Sequence, residues 1–151
     1  MDTVTAAADR TLPDSIRAAG LKVTAPRLSV LSALKASPHS SADRVFTSVR
    51  DELPGTSPQA VYNILAAFTT AGLVRRFDPA GSAALYECRV GDNHHHVVCV
   101  QCGDTQDIDC VVGEAPCLTP SSSAGFTILS AEVTFTGICT RCSTKMAAAE
   151  A

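Results

Sequence analysis

Two Cys-x-x-Cys pairs, Cys99-Val-Gln-Cys102 and Cys139-Thr-Arg-Cys142, constrain this chain more than any other feature. Each short pair lets two sulfurs face one ion. Together they supply four soft thiolates, the ligand set of a closed, tetrahedral zinc site. Such a site contributes folding energy and performs no chemistry. Gly103 suits the tight backbone turn after the first pair, where a side chain would clash. The gap between the pairs is longer than in compact four-cysteine ribbons, so the ion would staple two distant stretches of chain. Disulfides, a thioredoxin-like redox pair or plain buried thiols are the competing readings, and the repeated paired spacing favours zinc.

A chain of 151 residues holds one ordinary domain or two small ones. No apolar run approaches the ~18 residues that span a bilayer. The first ten residues carry neither a basic nor an apolar signal region. The expectation is a cytoplasmic protein with no membrane partner. Seven cysteines without an export signal then favour metal and redox roles over a disulfide scaffold. Thr and Ala dominate both ends, so residues 1–10 are expected to fray and the tail after 143 to be disordered. Charge divides the chain. Residues 1–82 carry nine Lys/Arg against seven Asp/Glu, and residues 83–151 carry three against eight. The first part could face a polyanion and the second could hold cations.

The N-terminal part reads as successive helices. Thr24 is a plausible N-cap before Ala25-Pro26, with Leu28, Leu31 and Leu34 following at near-helical spacing. A third helix starts around Ser41, with Val45, Val49 and Leu53 four apart, and Pro54-Gly55 breaks it. Ser57-Pro58 opens a fourth that stops at Gly72. Helix, short break, helix is the outline of a helix-turn-helix unit.

In the fourth helix Val61, Ile64, Leu65 and Phe68 form the inward stripe, leaving Gln59, Ala60, Tyr62, Asn63 and Ala67 outward. Gln and Asn can pair bidentately with adenine, and Tyr can reach phosphates or pack on a thymine methyl. On this helix alone, surface cover is an equally good reading. Leu73 to Phe77 then reads as a strand, 78–82 as a turn and 84–87 as the returning strand. A hairpin after a helix-turn-helix is a winged helix, with Arg75 and Arg76 placed to neutralise phosphates.

Three of the four histidines are consecutive, His94-His95-His96. If residues 93–100 form a strand, His94 and His96 share one face and His95 the other. Asp107 lies in a stretch that can pair back, Glu87 closes the wing, and His39 precedes the third helix. Imidazoles with carboxylates make a harder site than four thiolates, suited to iron, manganese, zinc or nickel. By spacing alone a solvated polar loop remains the better reading.

These residues match a family. Val23-Thr-Ala-Pro-Arg27, Pro38-His-Ser-Ser-Ala-Asp43, Ala60-Val-Tyr-Asn63, Ala71-Gly-Leu-Val74, His94-His-His-Val-Val-Cys99, Cys102-Gly103 and Gly137-Ile-Cys-Thr-Arg-Cys142 resemble the ferric uptake regulator superfamily of bacterial metal-dependent repressors. Arg89-Val-Gly-Asp-Asn-His-His-His96 and Asp109-Cys-Val-Val-Gly-Glu-Ala-Pro-Cys-Leu118 are similar to its actinobacterial FurA/CatR branch, which is peroxide-responsive and encoded with catalase-peroxidase genes.

The resemblance implies an α+β protein, with a winged helix-turn-helix DNA-binding domain over 1–86 and a small α/β dimerisation domain over 87–151. Cys99, Cys102, Cys139 and Cys142 would hold structural zinc. His39, Glu87, His94, His96 and Asp107 would hold a regulatory ion, iron or manganese with zinc possible. Arg27, Ser57, Gln59, Tyr62, Asn63, Arg75 and Arg76 would face double-stranded operator DNA, bound by a homodimer. The function implied is repression released by peroxide, over catalase-peroxidase, oxidative-stress or iron genes, rather than enzymatic catalysis. An iron- or zinc-level repressor without peroxide sensing is the alternative. Peroxide would oxidise His39 or His94, or thiols among Cys88, Cys110 and Cys117.

The chain departs from the family in two places. Pro116, Pro120, Ser121, Ser122, Ser123 and Gly125 leave room for only a short or irregular helix between the cysteine pairs. A further metal site of some members has only His95 and Glu132 as remnants. Residues 126–129 and Val133-Thr-Phe135 read as strands completing the dimerising sheet. Two enzyme classes fail on motif. A zinc deaminase wants His-x-Glu beside Pro-Cys-x-x-Cys, and a thiol oxidoreductase wants its Cys-x-x-Cys at a helix start in a βαβ context, whereas both pairs here are expected beside strands.

Overall fold

A computed structural model describes residues 10–92, 94–109, 121–129 and 132–150. The chain divides into two compact units, Met1–Gly91 and Asp92–Ala151.

The first unit is built by capped helices. Helix α1 (Leu12–Ala18) starts at Thr11, α2 (Ala25–Ala36) at Thr24, α3 (Ala42–Glu52) at Ser41 and α4 (Pro58–Thr70) at Ser57. In each, the cap hydroxyl accepts an otherwise orphaned backbone N–H of the first turn. Proline occupies the first turn of α1, α2 and α4, where its missing N–H costs nothing. Ala71 is the C-cap of α4, and Gly72 turns the chain with φ +70°, a conformation that β-carbon-bearing residues avoid. The apolar faces of α2, α3 and α4 close over one core, with Leu31, Val49, Leu65 and Phe68 at its centre.

A three-stranded antiparallel sheet flanks these helices. Strands β1 (Ser40–Ser41), β2 (Arg75–Phe77) and β3 (Leu85–Glu87) lie in the order β1-β3-β2. The β2–β3 hairpin is the expected wing. Strand β1 was not expected: its two serines pair with Tyr86 and Leu85. Because β3 hydrogen-bonds to both neighbours, Glu87 belongs to the first unit, and the division falls after Gly91 rather than after residue 86.

The second unit is a sheet of β4 (His94–Cys99), β5 (Thr105–Asp109) and β6 (Thr134–Gly137) in the order β5-β4-β6. Strand β4 runs antiparallel to β5 and parallel to β6. Helix α5 (Thr140–Ala149) follows, so the second Cys-x-x-Cys, expected beside a strand, lies at a helix start, with no strand after it among the described residues to make a βαβ unit. The expected disordered tail after 143 is therefore helical: Cys139 takes the N-cap position, and alanines with high helix propensity fill the last turn. Residues 126–129, expected as a strand, have no ladder partner among the described residues, and Phe126 and Leu129 are 75% and 92% exposed. Of the proline-serine segment, residues 121–129 hold no helix, and 110–120 lie outside the described residues. Among the described residues no helix is long and apolar enough to cross a membrane.

Candidate metal centres

The four cysteines of the paired motifs meet, with their sulfurs all within 4.8 Å of one another. Two features of the backbone bring them together. Gly103, at φ +75°, closes a turn in which its N–H donates to the Cys99 carbonyl at 2.8 Å, folding Cys102 back beside Cys99. The parallel register sets Cys99 opposite Gly137, which delivers Cys139 and the first turn of α5 to the same place.

The sulfur spacing fits a tetrahedral ion. Zinc–sulfur bonds of about 2.3 Å at tetrahedral angles place sulfurs about 3.8 Å apart. Cys102 Sγ and Cys139 Sγ stand at 3.8 Å, nearly twice the length of a disulfide. The surroundings also favour thiolates. The backbone N–H of Cys139 donates to Cys99 Sγ at 3.3 Å, and such donors bring the Cys99 thiol down to about 6. Backbone donation at Asp104 and the Arg141 guanidinium, 3.5 Å from Cys102 Sγ, lower the Cys102 thiol. Cys142 is pushed up to about 12 by its sulfur neighbours, Cys139 foremost. Four clustered thiols cannot all ionise unaided, and a dication removes that obstacle. The donor set therefore fits zinc.

A harder donor set lies on the other end of β4. Pairing with β5 sets His96 opposite Asp107. His94 Nε2 and His96 Nε2 stand 3.6 and 3.5 Å from the same oxygen, Asp107 Oδ1. The two rings meet edge to face with centroids 5.0 Å apart. Both rings are buried, so the loop reading that spacing alone favoured is overturned. The side chain of His94 is fully buried, and its Nδ1 lies 2.6 Å from Asp92 Oδ1. His95 is also buried, and its Nδ1 has no hydrogen-bond partner among the described residues.

The first unit holds an imidazole and an acid of the expected set. His39 Nε2 and Glu87 Oε2 lie 2.9 Å apart, and Glu87 is 1% exposed. His39 precedes β1 with φ 56°, a left-handed conformation uncommon in residues other than glycine. Arg75 Nε, across the β2–β3 register, approaches the other Glu87 oxygen at 4.0 Å. The acid expected as a ligand thus sits between an imidazole and a guanidinium.

The residues expected at DNA all belong to the first unit, and several are occupied locally. Gln59 donates to Asn63 at 3.0 Å, and the Tyr62 hydroxyl donates to Asp43 at 3.2 Å, all on exposed positions. That proximity to the Asp43 charge raises the Tyr62 phenol. Ser57 is the cap of α4 and accepts from Ala60 N–H at 3.1 Å. Arg27 donates to the Lys22 carbonyl at 2.7 Å. Arg76 forks onto Asp78 at 2.8–3.2 Å and remains half-exposed. Cys88 packs against the core, and burial pushes its thiol up to about 11, which disfavours the nucleophilic thiolate a redox switch needs. Cys110 and Cys117 lie outside the described residues. Sequence reasoning missed Asp92, Asp43 and Arg141. A carboxylate two residues from a histidine expected as a ligand was the one available signal, since i and i+2 share a face in extended chain.

Comparison with known proteins gives a consistent picture. The model of the Ferric uptake regulator family matches residues 18–136. The chain is 54% identical over 130 residues to the transcriptional regulator FurA of Mycobacterium tuberculosis, covering 86% of this chain and 88% of that one. Among solved structures, the ferric uptake regulator of Francisella tularensis with iron is 25% identical with a TM-score of 0.64, covering 82% of this chain and 96% of that chain. The peroxide stress regulator of Campylobacter jejuni is 25% identical with a TM-score of 0.61, covering 78% and 88%.

Proposed function

Because the chain belongs to the Ferric uptake regulator family, we propose that it is a metal-dependent, peroxide-responsive transcriptional repressor that binds palindromic operator DNA as a homodimer. The observation that carries this reading is chemical. One set of four soft thiolates stands apart from hard imidazole and carboxylate donors, so two metals of different character can be held at once.

The thiolate set holds zinc and staples the second unit. Its only well-buried apolar side chain among the described residues is Cys99, so that unit lacks an apolar core there and depends on the ion. Phe126, Leu129, Phe135 and Ile138 are exposed, apolar surface suited to a second copy of the chain. The regulatory ion, ferrous iron or manganese, takes its ligands from His39, Glu87, His94, His96 and Asp107. Since these donors come from both units, ion binding favours the arrangement that fits two operator half-sites. Helix α4 then presents Gln59, Tyr62 and Asn63 to base edges, while Arg27, Arg75 and Arg76 meet phosphates, after Arg76 exchanges Asp78 for a phosphate oxygen.

Ferrous iron held by these residues would supply the redox chemistry that splits peroxide, one oxygen passing to a ligand side chain and the other leaving as water. His39 and His94 are the candidate side chains to take up that oxygen, and either change would remove a ligand and release the DNA. The likeness to a peroxide stress regulator supports this finer reading, with oxidative-stress and iron genes as targets. Mass spectrometry of the iron-loaded and manganese-loaded protein after dilute peroxide tests it. One added oxygen on a His39 or His94 peptide, with iron only, is the expected result. Operator release by chelator but not by peroxide would leave a metal-level repressor instead.

A further inference from the structure

Asp92 precedes the histidine run and lies in the same unit as His94, His96 and Asp107. Its Oδ1 is 2.6 Å from His94 Nδ1, a short, charge-assisted distance. An ionised carboxylate is an acceptor only, so Nδ1 must carry the proton. The imidazole is fully buried, and bulk water therefore has no part in choosing its tautomer. At the far side of the ring, Nε2 stands 3.6 Å from Asp107 Oδ1, too far for a hydrogen bond. His96 Nε2 is 3.5 Å from that same oxygen. Nε2 of His94 is thus the ring nitrogen on the side of Asp107 and His96.

We propose that Asp92 is a positioning residue that locks His94 in the Nδ1–H tautomer and so makes Nε2 the ligating atom. This rests on the regulatory-metal reading, in which His94 is a ligand. A carboxylate behind a ligand imidazole both fixes the ring and raises its donor strength, and loss of such a partner weakens metal binding about 10–100-fold. In this role Asp92 acts through His94 and is not itself a ligand.

The test uses full-length, zinc-replete protein titrated with Co2+, with the ligand-field spectrum of the second site as readout. Asp92→Ala is expected to weaken Co2+ binding about 10–100-fold with structural zinc and melting temperature unchanged. Asp92→Asn, whose side-chain oxygen still accepts from Nδ1, is expected to stay near the wild-type affinity. Wild-type affinity in Asp92→Ala, or equal loss in both variants, overturns the proposal. Histidine 15N NMR of the wild-type protein before Co2+ addition is the second measurement and needs no variant. His94 must show a protonated Nδ1 and a bare Nε2; the opposite tautomer overturns the inference. Should wild-type protein bind no Co2+ beyond its zinc, the regulatory-metal reading fails, while the tautomer still reports on Asp92 alone.

Discussion

His39 and Glu87 are separated by 48 positions in the chain and meet at 2.9 Å, because β1 pairs antiparallel with β3 and sets Ser40 opposite Tyr86. One residue before Ser40 and one after Tyr86, the ladder brings an imidazole and a buried carboxylate face to face. Removing the acid should therefore disable the first unit's share of the proposed regulatory site. Glu87→Ala is expected to lower Mn2+ affinity at least about tenfold in calorimetric titration, with the zinc content intact.

Zinc retention should depend on pH in a defined direction. The Cys99 thiol, ordinarily near 9, is brought down to about 6 by backbone donors in the folded unit. A depressed acid contributes stability that is complete above its ordinary value and is lost as pH falls through the folded one. Zinc, which needs the thiolate, should be released on acidification through about 6 and below, followed with a chromogenic chelator. Cys99→Ser should lose zinc at neutral pH and unfold the second unit.

His94→Ala should abolish metal-dependent operator binding and leave one zinc per chain in place. Fluorescence anisotropy with labelled operator, with and without Mn2+, measures the first; metal analysis measures the second. Unchanged Mn2+ dependence would remove His94 from the switch.

Tyr62→Ala should weaken operator binding about tenfold or more at constant salt, the scale of a lost base-reading contact. Tyr62→Phe separates two roles. It loses the hydrogen bond to Asp43 and keeps the ring, so near-normal affinity assigns the contact to packing on the base. Sedimentation should show both variants dimerising as the wild type does.

Phe68→Ala should destabilise the first unit by about 3–5 kcal/mol, the cost of emptying a fully buried aromatic site. Because Phe68 belongs to the unit Met1–Gly91 and the cysteines to the other, zinc content should not change. Circular dichroism on heating and metal analysis check the two halves of this prediction.

The helices were legible because their signals are local. Thr24, Ser41 and Ser57 cap their own first turns, and Gly72 ends α4 through its own φ. The wing was legible for the same reason, two short strands around a turn. Strand β1 was not, since two serines carry no alternation and become a strand only through Tyr86 and Leu85. Residues 126–129 misled in the other direction. Their alternation signals a face that prefers burial, whereas a strand needs a partner, and none lies among the described residues. The tail after 143 was read from its small residues, though alanine is the best helix former once a first turn exists.

The soft centre could be read from residue order, because a Cys-x-x-Cys spacing already limits where two sulfurs can point. The hard centre could not. His94, His96 and Asp107 are ordinary polar residues until the β4–β5 register aligns His96 with Asp107 and burial closes over both rings. Ligand identity is a property of side chains and is written in the chain. Ligand geometry, tautomer and ionisation depend on neighbours brought together by hydrogen-bonded strands and withdrawn from water, and only the folded arrangement supplies those.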